Sequence, residues 1–238
     1  MMYGYGNMIS PSNRLFSGSG ASPLWNGLLA YYTADNTPND ALGNYNGTLV
    51  NGATYGTGII NQGFSLDGIN DVVDMGNVLD FDGSTPFSIS CWVKPNSLAA
   101  SIFLGKSFAG PPYTGYTMVI SGSKFIVSLA NSYSPDNALK VQNSLSLSIS
   151  TWYNVIFTYD GSKTATGLNL YVNNSINTKT ILNDNLTGSI SSVNPFRIGA
   201  RNTQFYYNGI VDEIGIWNRE LTPSEVTELY NSGAGKQY

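Results

Sequence analysis

The chain has 238 residues, of which 42% are hydrophobic and only 11% charged, with a formal net charge of −4. That balance permits a sizeable core, and without a Lys/Arg run it argues against nucleic acid as a partner. A lone cysteine, Cys91, excludes an intrachain disulfide, and the absence of histidine removes the commonest general base and zinc ligand.

Residues 1–24 are rich in Gly and Ser, with Tyr3, Tyr5, Met8, Leu15 and Phe16 scattered among them, and follow neither a helical nor a strand period. Two readings stand: a flexible arm, or an arm that orders on a partner through those apolar side chains. No basic segment precedes an apolar run there, so no secretory signal is expected. No apolar stretch in the chain approaches the ~20 residues of a membrane span.

From Trp25 onward the texture changes to short strands, predicted at 28–33, 63–67, 71–75, 87–94, 101–105, 116–120, 124–130, 152–159, 168–173, 195–199 and 207–217. Asp-Gly and Asn-Gly turn signals at 67–68, 82–83, 160–161 and 208–209 punctuate them. Many short strands joined by tight turns indicate an all-β sandwich or barrel. Cys91 alternates with Phe87, Ile89 and Val93 and reads as a small buried hydrophobe.

In 207–217, a period of two puts Ile210, Asp212, Ile214 and Ile216 on one face, and Tyr207, Val211, Glu213 and Trp217 on the other. A carboxylate among isoleucines is costly unless it is hydrogen-bonded, paired with a cation or bound to a metal. A helix follows, with Thr222 as N-cap, Pro223 in the first position and Glu225 completing a capping box. Leu221 and Val226 are placed for a hydrophobic staple, and Gly233 is the expected stop. The domain is expected over 25–233, with 234–238 as a tail.

The segment NGIVDEIGIWNRELTPSEVTELYNSG resembles the C-terminal signature of laminin-G-like, concanavalin A-like jelly-roll domains. GFSLDGINDVVDMG, FSISCWVKP, and TWYNVIFTYDGS followed by LNLYVNN agree with it in order. The resemblance implies a two-sheet antiparallel jelly-roll sandwich with one short C-terminal helix. It says less about function, because the fold hosts lectins, adhesins, glycanases and scaffolding modules. Glycanases of this fold carry acids alternating along a strand, since two carboxyls must flank the scissile bond. No such string occurs here, so no catalytic residue is assigned and a glycanase is the remotest reading.

In the resembling family an Asp-x-x-Gly-Asn loop often lies close to the Asp of a V-D-E strand, where the two can share a calcium. Carried over, this nominates Asp40, Gly43, Asn46 and Asp212 as ligands of a structural calcium. The alternative without an ion is that Asp212 accepts backbone amides of that loop, or pairs with Arg197 or Arg201.

Three loops, at 106–116, 131–140 and 201–208, join aromatics to hydrogen-bonding residues. Sugars are held by aromatic faces against C–H groups and by amides or Arg at hydroxyls, which nominates Tyr113, Tyr133, Arg201, Gln204, Phe205 and Tyr206. The expected function is a non-catalytic binding or display module for a glycan or cell-surface polysaccharide. No export signal, a single domain and an aromatic arm suggest the surface of a bacteriophage virion, with residues 1–24 docking on other virion proteins. The alternative is a carbohydrate-binding or adhesion module at a bacterial surface or outside the cell.

Overall fold

The computed structural model describes residues 23–107, 110–133, 135–176, 179–201 and 203–238. The arm expected over 1–24, with the docking role read into it, therefore lies outside the described residues except for its last two. Those two belong to the domain: Pro23–Trp25 is a 3-10 turn in which Leu24 is fully buried.

In chain order the strands are β1 (Leu28–Tyr32), β2 (Thr48–Val50), β3 (Thr54–Thr57), β4 (Gln62–Asp67), β5 (Val72–Asp74) and β6 (Phe87–Pro95). There follow β7 (Ser101–Ser107), β8 (Gly115–Ser121), β9 (Lys124–Tyr133), β10 (Asp136–Gln142) and β11 (Tyr153–Tyr159). The last are β12 (Leu168–Val172), β13 (Ser175–Ile176), β14 (Thr180–Asp184), β15 (Phe196–Ile198) and β16 (Asn208–Trp217), before the helix α1 (Pro223–Tyr230).

They build two eight-stranded sheets. One runs β13-β12-β11-β6-β16-β4-β3 with β1 also on β16, and the other runs β14-β10-β9-β8-β7-β15-β5-β2. Neighbours pair antiparallel, as the jelly-roll expectation requires. Between the sheets, Phe87, Ile89, Cys91, Val155 and Phe157 meet Met118, Ile120, Val127, Leu129 and Val141. Each large side chain buried this way contributes about 1.5–3 kcal/mol, against ~0–1 kcal/mol for a surface ion pair. The apolar layer therefore holds the sheets together. Cys91 is a fully buried part of it, and burial pushes its thiol pKa up, so the thiol is held unreactive.

β16 breaks the strict period expected of it. Val211, Ile214 and Ile216 face the core, while Ile210 is half-buried on the opposite side. The register with β6 shifts between Asp212 and Gly215, and Glu213 sits there at φ 47°. One extra residue in a strand flips every side chain beyond it to the other face. Asp212 therefore shares a face with Ile210, over the space left by Gly63, and not with Ile214 and Ile216.

The strands absent from the sequence expectation are short or polar. β14 is largely exposed, with burial too low to impose a period, and β10 begins in the polar stretch expected as a loop. The helix carries its capping box, with Thr222 and Glu225 serving each other's backbone N–H. It ends at Asn231, held in the left-handed conformation, and not at Gly233. Leu221, Val226 and Leu229 pack with Leu24, Ile156, Tyr171 and Trp217 as a second, smaller core.

The segment 234–238, expected as a tail, is packed. Tyr31 Oη donates to the Lys236 carbonyl at 2.8 Å, and Gln237 Nε2 donates to Asp35 Oδ2 at 2.9 Å. The Tyr238 ring meets Trp25 edge to face, with centroids 5.2 Å apart.

Candidate functional site

Side chains on β8, β9 and β10 alternate between the core and the opposite face of the second sheet. On that opposite face, Thr117, Val119 and Ser121 of β8, Ile126 and Ser128 of β9 and Lys140 of β10 floor a groove of about 240 Å³. Ala100, Ile102, Tyr133, Arg201 and Phe205 complete it. This is smaller than the ~300–1,000 Å³ of clefts that enclose a drug-sized ligand. It suits one ring, or a chain lying across it.

The rim is built by residues 199–201 and 203–207, pinned on β7. Gly199 N donates to the Phe103 carbonyl at 3.0 Å and Ile102 N to the Phe205 carbonyl at 2.8 Å. Arg201 and Gln204 exchange backbone hydrogen bonds, each 3.0 Å, closing a tight hairpin. The Arg201 guanidinium lies 5.0 Å from the Tyr113 ring centroid and 4.9 Å from that of Phe205, within cation–π range of both. Tyr113 and Tyr133 are tilted together at 5.9 Å, and the Tyr133 hydroxyl is hydrogen-bonded to Ser128 Oγ.

Tyr113 and Phe205 hold positive φ values of 66° and 58°, sparsely populated for residues other than glycine. Backbone bonds hold them there: Tyr113 N donates to the Gly110 carbonyl at 2.8 Å, and the Phe205 carbonyl accepts from Ile102 N at 2.8 Å. Burial draws the pKa of Arg201 down and that of Tyr133 up. Arg201 Nε is buried with no hydrogen-bond acceptor.

Four of the six residues nominated for a ligand thus come together: Tyr113, Tyr133, Arg201 and Phe205. Tyr133, Arg201 and Phe205 line the groove, and Tyr113 stands against Arg201 and Tyr133 outside the lining; Gln204, exposed in the same hairpin, and Tyr206, half-buried beside it, do not line it. The floor escaped sequence reading. Ile102 and Ile126 face outward yet are nearly fully buried, and nothing local in the sequence distinguishes them from core residues.

Of the four residues nominated for calcium, Asp40, Gly43 and Asn46 are joined by hydrogen bonds within one loop, and Asp212 makes its hydrogen bonds to other segments. Asp40 accepts the amide protons of Tyr31, Leu42, Asn44 and Tyr45 at 2.8–3.2 Å. Asn46 Oδ1 accepts from Asp40 N at 3.1 Å, and Gly43 N donates to the Asp40 carbonyl at 2.8 Å. Asp212 accepts from Ile59 N, Ile60 N and Glu213 N at 2.8, 3.2 and 2.8 Å, so it ties down residues 59–60 and not the 35–47 loop. The oxygens of both side chains are thus taken up by N–H donors of the protein. Arg197 pairs with Asp74 and Arg201 lies at the groove, so neither serves Asp212.

Beside Asp212, Glu213 is hydrogen-bonded to the Tyr31 hydroxyl and accepts a bond from Gln237 Nε2 at 3.2 Å. Burial raises the Asp212 pKa to about 7 and that of Glu213 to about 8, with the charge of Asp35 adding to both. Among the described residues, no group of three or more Asp, Glu, Cys or His side chains is arranged to hold a metal.

The fold recurs in known proteins. Domain 4 of AbnA, a GH43 extracellular arabinanase from Geobacillus stearothermophilus solved with arabinotriose, superposes over 88% of this chain and 98% of its own, at 21% identity and a TM-score of 0.64. The binding domain of Paraclostridial Mosquitocidal Protein 1 matches 88% of this chain and 53% of its own, at 18% identity and a TM-score of 0.67. At such identities the likeness establishes the fold alone. Human adhesion G-protein coupled receptor D1 is 31% identical over 128 residues, which is 51% of this chain but only 14% of the receptor. Residues 67–227 match the Laminin_G_3 family, and the chain belongs to that family, within the Concanavalin A-like lectin/glucanases superfamily.

Proposed function

We propose that this chain is a non-catalytic carbohydrate-binding module whose ligand lies in the groove on the outer face of the second sheet. The observation that carries this reading is the gathering of Tyr113, Tyr133 and Phe205 around Arg201 at the rim of a groove floored by both apolar and hydroxyl side chains. Aromatic faces take the C–H side of a sugar ring, and Arg201, Thr117, Ser121 and Ser128 offer hydrogen bonds to its polar edge. Cleavage of a glycosidic bond requires two carboxyls flanking it, and neither Asp nor Glu is among the residues lining the groove. The arabinotriose bound to domain 4 of AbnA supports the same reading by analogy of fold.

A glycan array with the full chain tests it, with Tyr113→Ala and Phe205→Ala as controls. Each variant is expected to bind about tenfold more weakly, the consequence of losing roughly 1–1.5 kcal/mol of ring contact. A uniformly blank array from folded protein, or unchanged binding by both variants, would overturn the assignment.

A further inference from the structure

We infer that the groove selects acidic saccharides, receiving a sugar carboxylate at Arg201 with Lys140 as a second positive charge. This rests on the carbohydrate-binding reading above and names the ligand class within it.

The argument begins with what Arg201 lacks. The ion pairs among the described residues are Arg197–Asp74, Arg219–Glu225 and Lys236–Glu228. Arg201 and Lys140 belong to none of them. The Arg201 guanidinium carbon lies 5.0 Å and 4.9 Å from the Tyr113 and Phe205 ring centroids, a cation–π contact that supplies none of its N–H groups with an acceptor. Its Nε is buried without an acceptor, so the protein itself does not satisfy the guanidinium. A guanidinium is a planar fork that pairs two N–H groups with the two oxygens of a carboxylate. Two rings beside it and no carboxylate partner among the described residues leave it available for that ligand.

Charge points the same way. The protein is acidic, with 15 Asp and Glu against 11 Lys and Arg, so its average surface repels anions. The groove reverses that sign, since Lys140 and Arg201 are the charged residues lining it. Asp136 is the acid whose charge reaches the rim, where it acts on Tyr133, and it is exposed and outside the groove lining. Within the lining, Ile102, Val119 and Ile126 add apolar faces that suit a sugar ring beside the two cations. The fitting ligand therefore carries both a ring and a carboxylate.

Calorimetry with the full chain can compare a galacturonic acid trisaccharide, the neutral galactose trisaccharide and a sulfated galactose trisaccharide, each at low and high salt. Galacturonate is expected to bind at least about tenfold tighter than the neutral sugar, with affinity falling as salt rises. Arg201→Gln should remove that preference, and Arg201→Lys should remove the advantage of carboxylate over sulfate. Lys140→Gln, on a strand away from the rim loops, should weaken galacturonate binding severalfold with no change in melting. Neutral sugars bound as tightly as acidic ones would overturn the inference and leave the module a lectin. An array blank for acidic and neutral glycans alike would remove the carbohydrate reading itself, and this inference with it.

Discussion

Replacing Asp40 with asparagine preserves the size of the side chain and removes one of its two acceptor oxygens. In the native loop Oδ1 takes the amide protons of Tyr31 and Leu42, at 2.8 and 3.1 Å, while Oδ2 takes those of Asn44 and Tyr45, at 3.0 and 3.2 Å. The asparagine oxygen can serve one pair, and its NH2 group then faces the other, donor against donor. Tyr31 is buried in β1 and cannot turn to water, so the oxygen stays with it and the Asn44–Tyr45 pair loses its acceptor. Hydrogen bonds to a charged group contribute about 1.5–3 kcal/mol each, which gives a nominal loss of about 3–6 kcal/mol for two. Asn44 is exposed and Tyr45 half-buried, so water recovers part of this. The expected net cost is about 2–4 kcal/mol. Urea unfolding of both proteins, each in chelator and in millimolar calcium, would measure it. A lower midpoint at an unchanged m-value, identical in the two buffers, is the expected result. A cost below about 0.5 kcal/mol, or one that appears only with calcium present, would refute the view that amide protons are what Asp40 holds.

Tyr207→Phe should leave stability unchanged or raise it by up to about 1 kcal/mol, because the Tyr207 hydroxyl is fully buried with no hydrogen-bond partner. A clear loss in chemical denaturation would show that a partner exists. The contribution of Asp212 and Glu213 to stability should fall as pH rises from about 4 to about 8, because they hold their protons to about 7 and about 8 while unfolded carboxyls release theirs near pH 4. Over that interval the folded state binds more protons than the unfolded one, so each group lowers stability by up to about 1.4 kcal/mol per pH unit, and the loss levels off above the folded values. Denaturation of wild type and Glu213→Gln across pH 4.5–8.5 tests this: their difference should shift in favour of the variant as pH rises, and a constant difference would sink the assignment.

Much of the fold is legible in the sequence because the core imposes its period on the chain. Phe87, Ile89 and Cys91 face the other sheet at every second position, and the capping box of Thr222 and Glu225 is a local code read over three residues. The bulge in β16 is not legible. Glu213 is not a residue type that announces a left-handed backbone, and its carboxylate is held by Tyr31, 182 positions away. The partners of Asp212 are equally remote, since Ile59 and Ile60 offer main-chain protons whose positions no side-chain pattern encodes. At the groove, residue type was enough to nominate aromatics and Arg201 on loops. Only the hairpin closed by Arg201 and Gln204 decides that Phe205 turns toward the sheet while Gln204 stays in solvent.

The edge-to-face contact of Trp25 with Tyr238, beside the pairing of β1 with β16, brings the two ends of the domain to one place. A chain closed in this way can be re-cut. A permutant that joins residue 238 to residue 23 by a short linker and opens at the 68–70 turn, where Ile69 is 72% exposed, should keep every strand pairing in both sheets. By the same geometry the domain can be spliced into a surface loop of a host protein through a single attachment point, and the host fold need not be stretched to receive it.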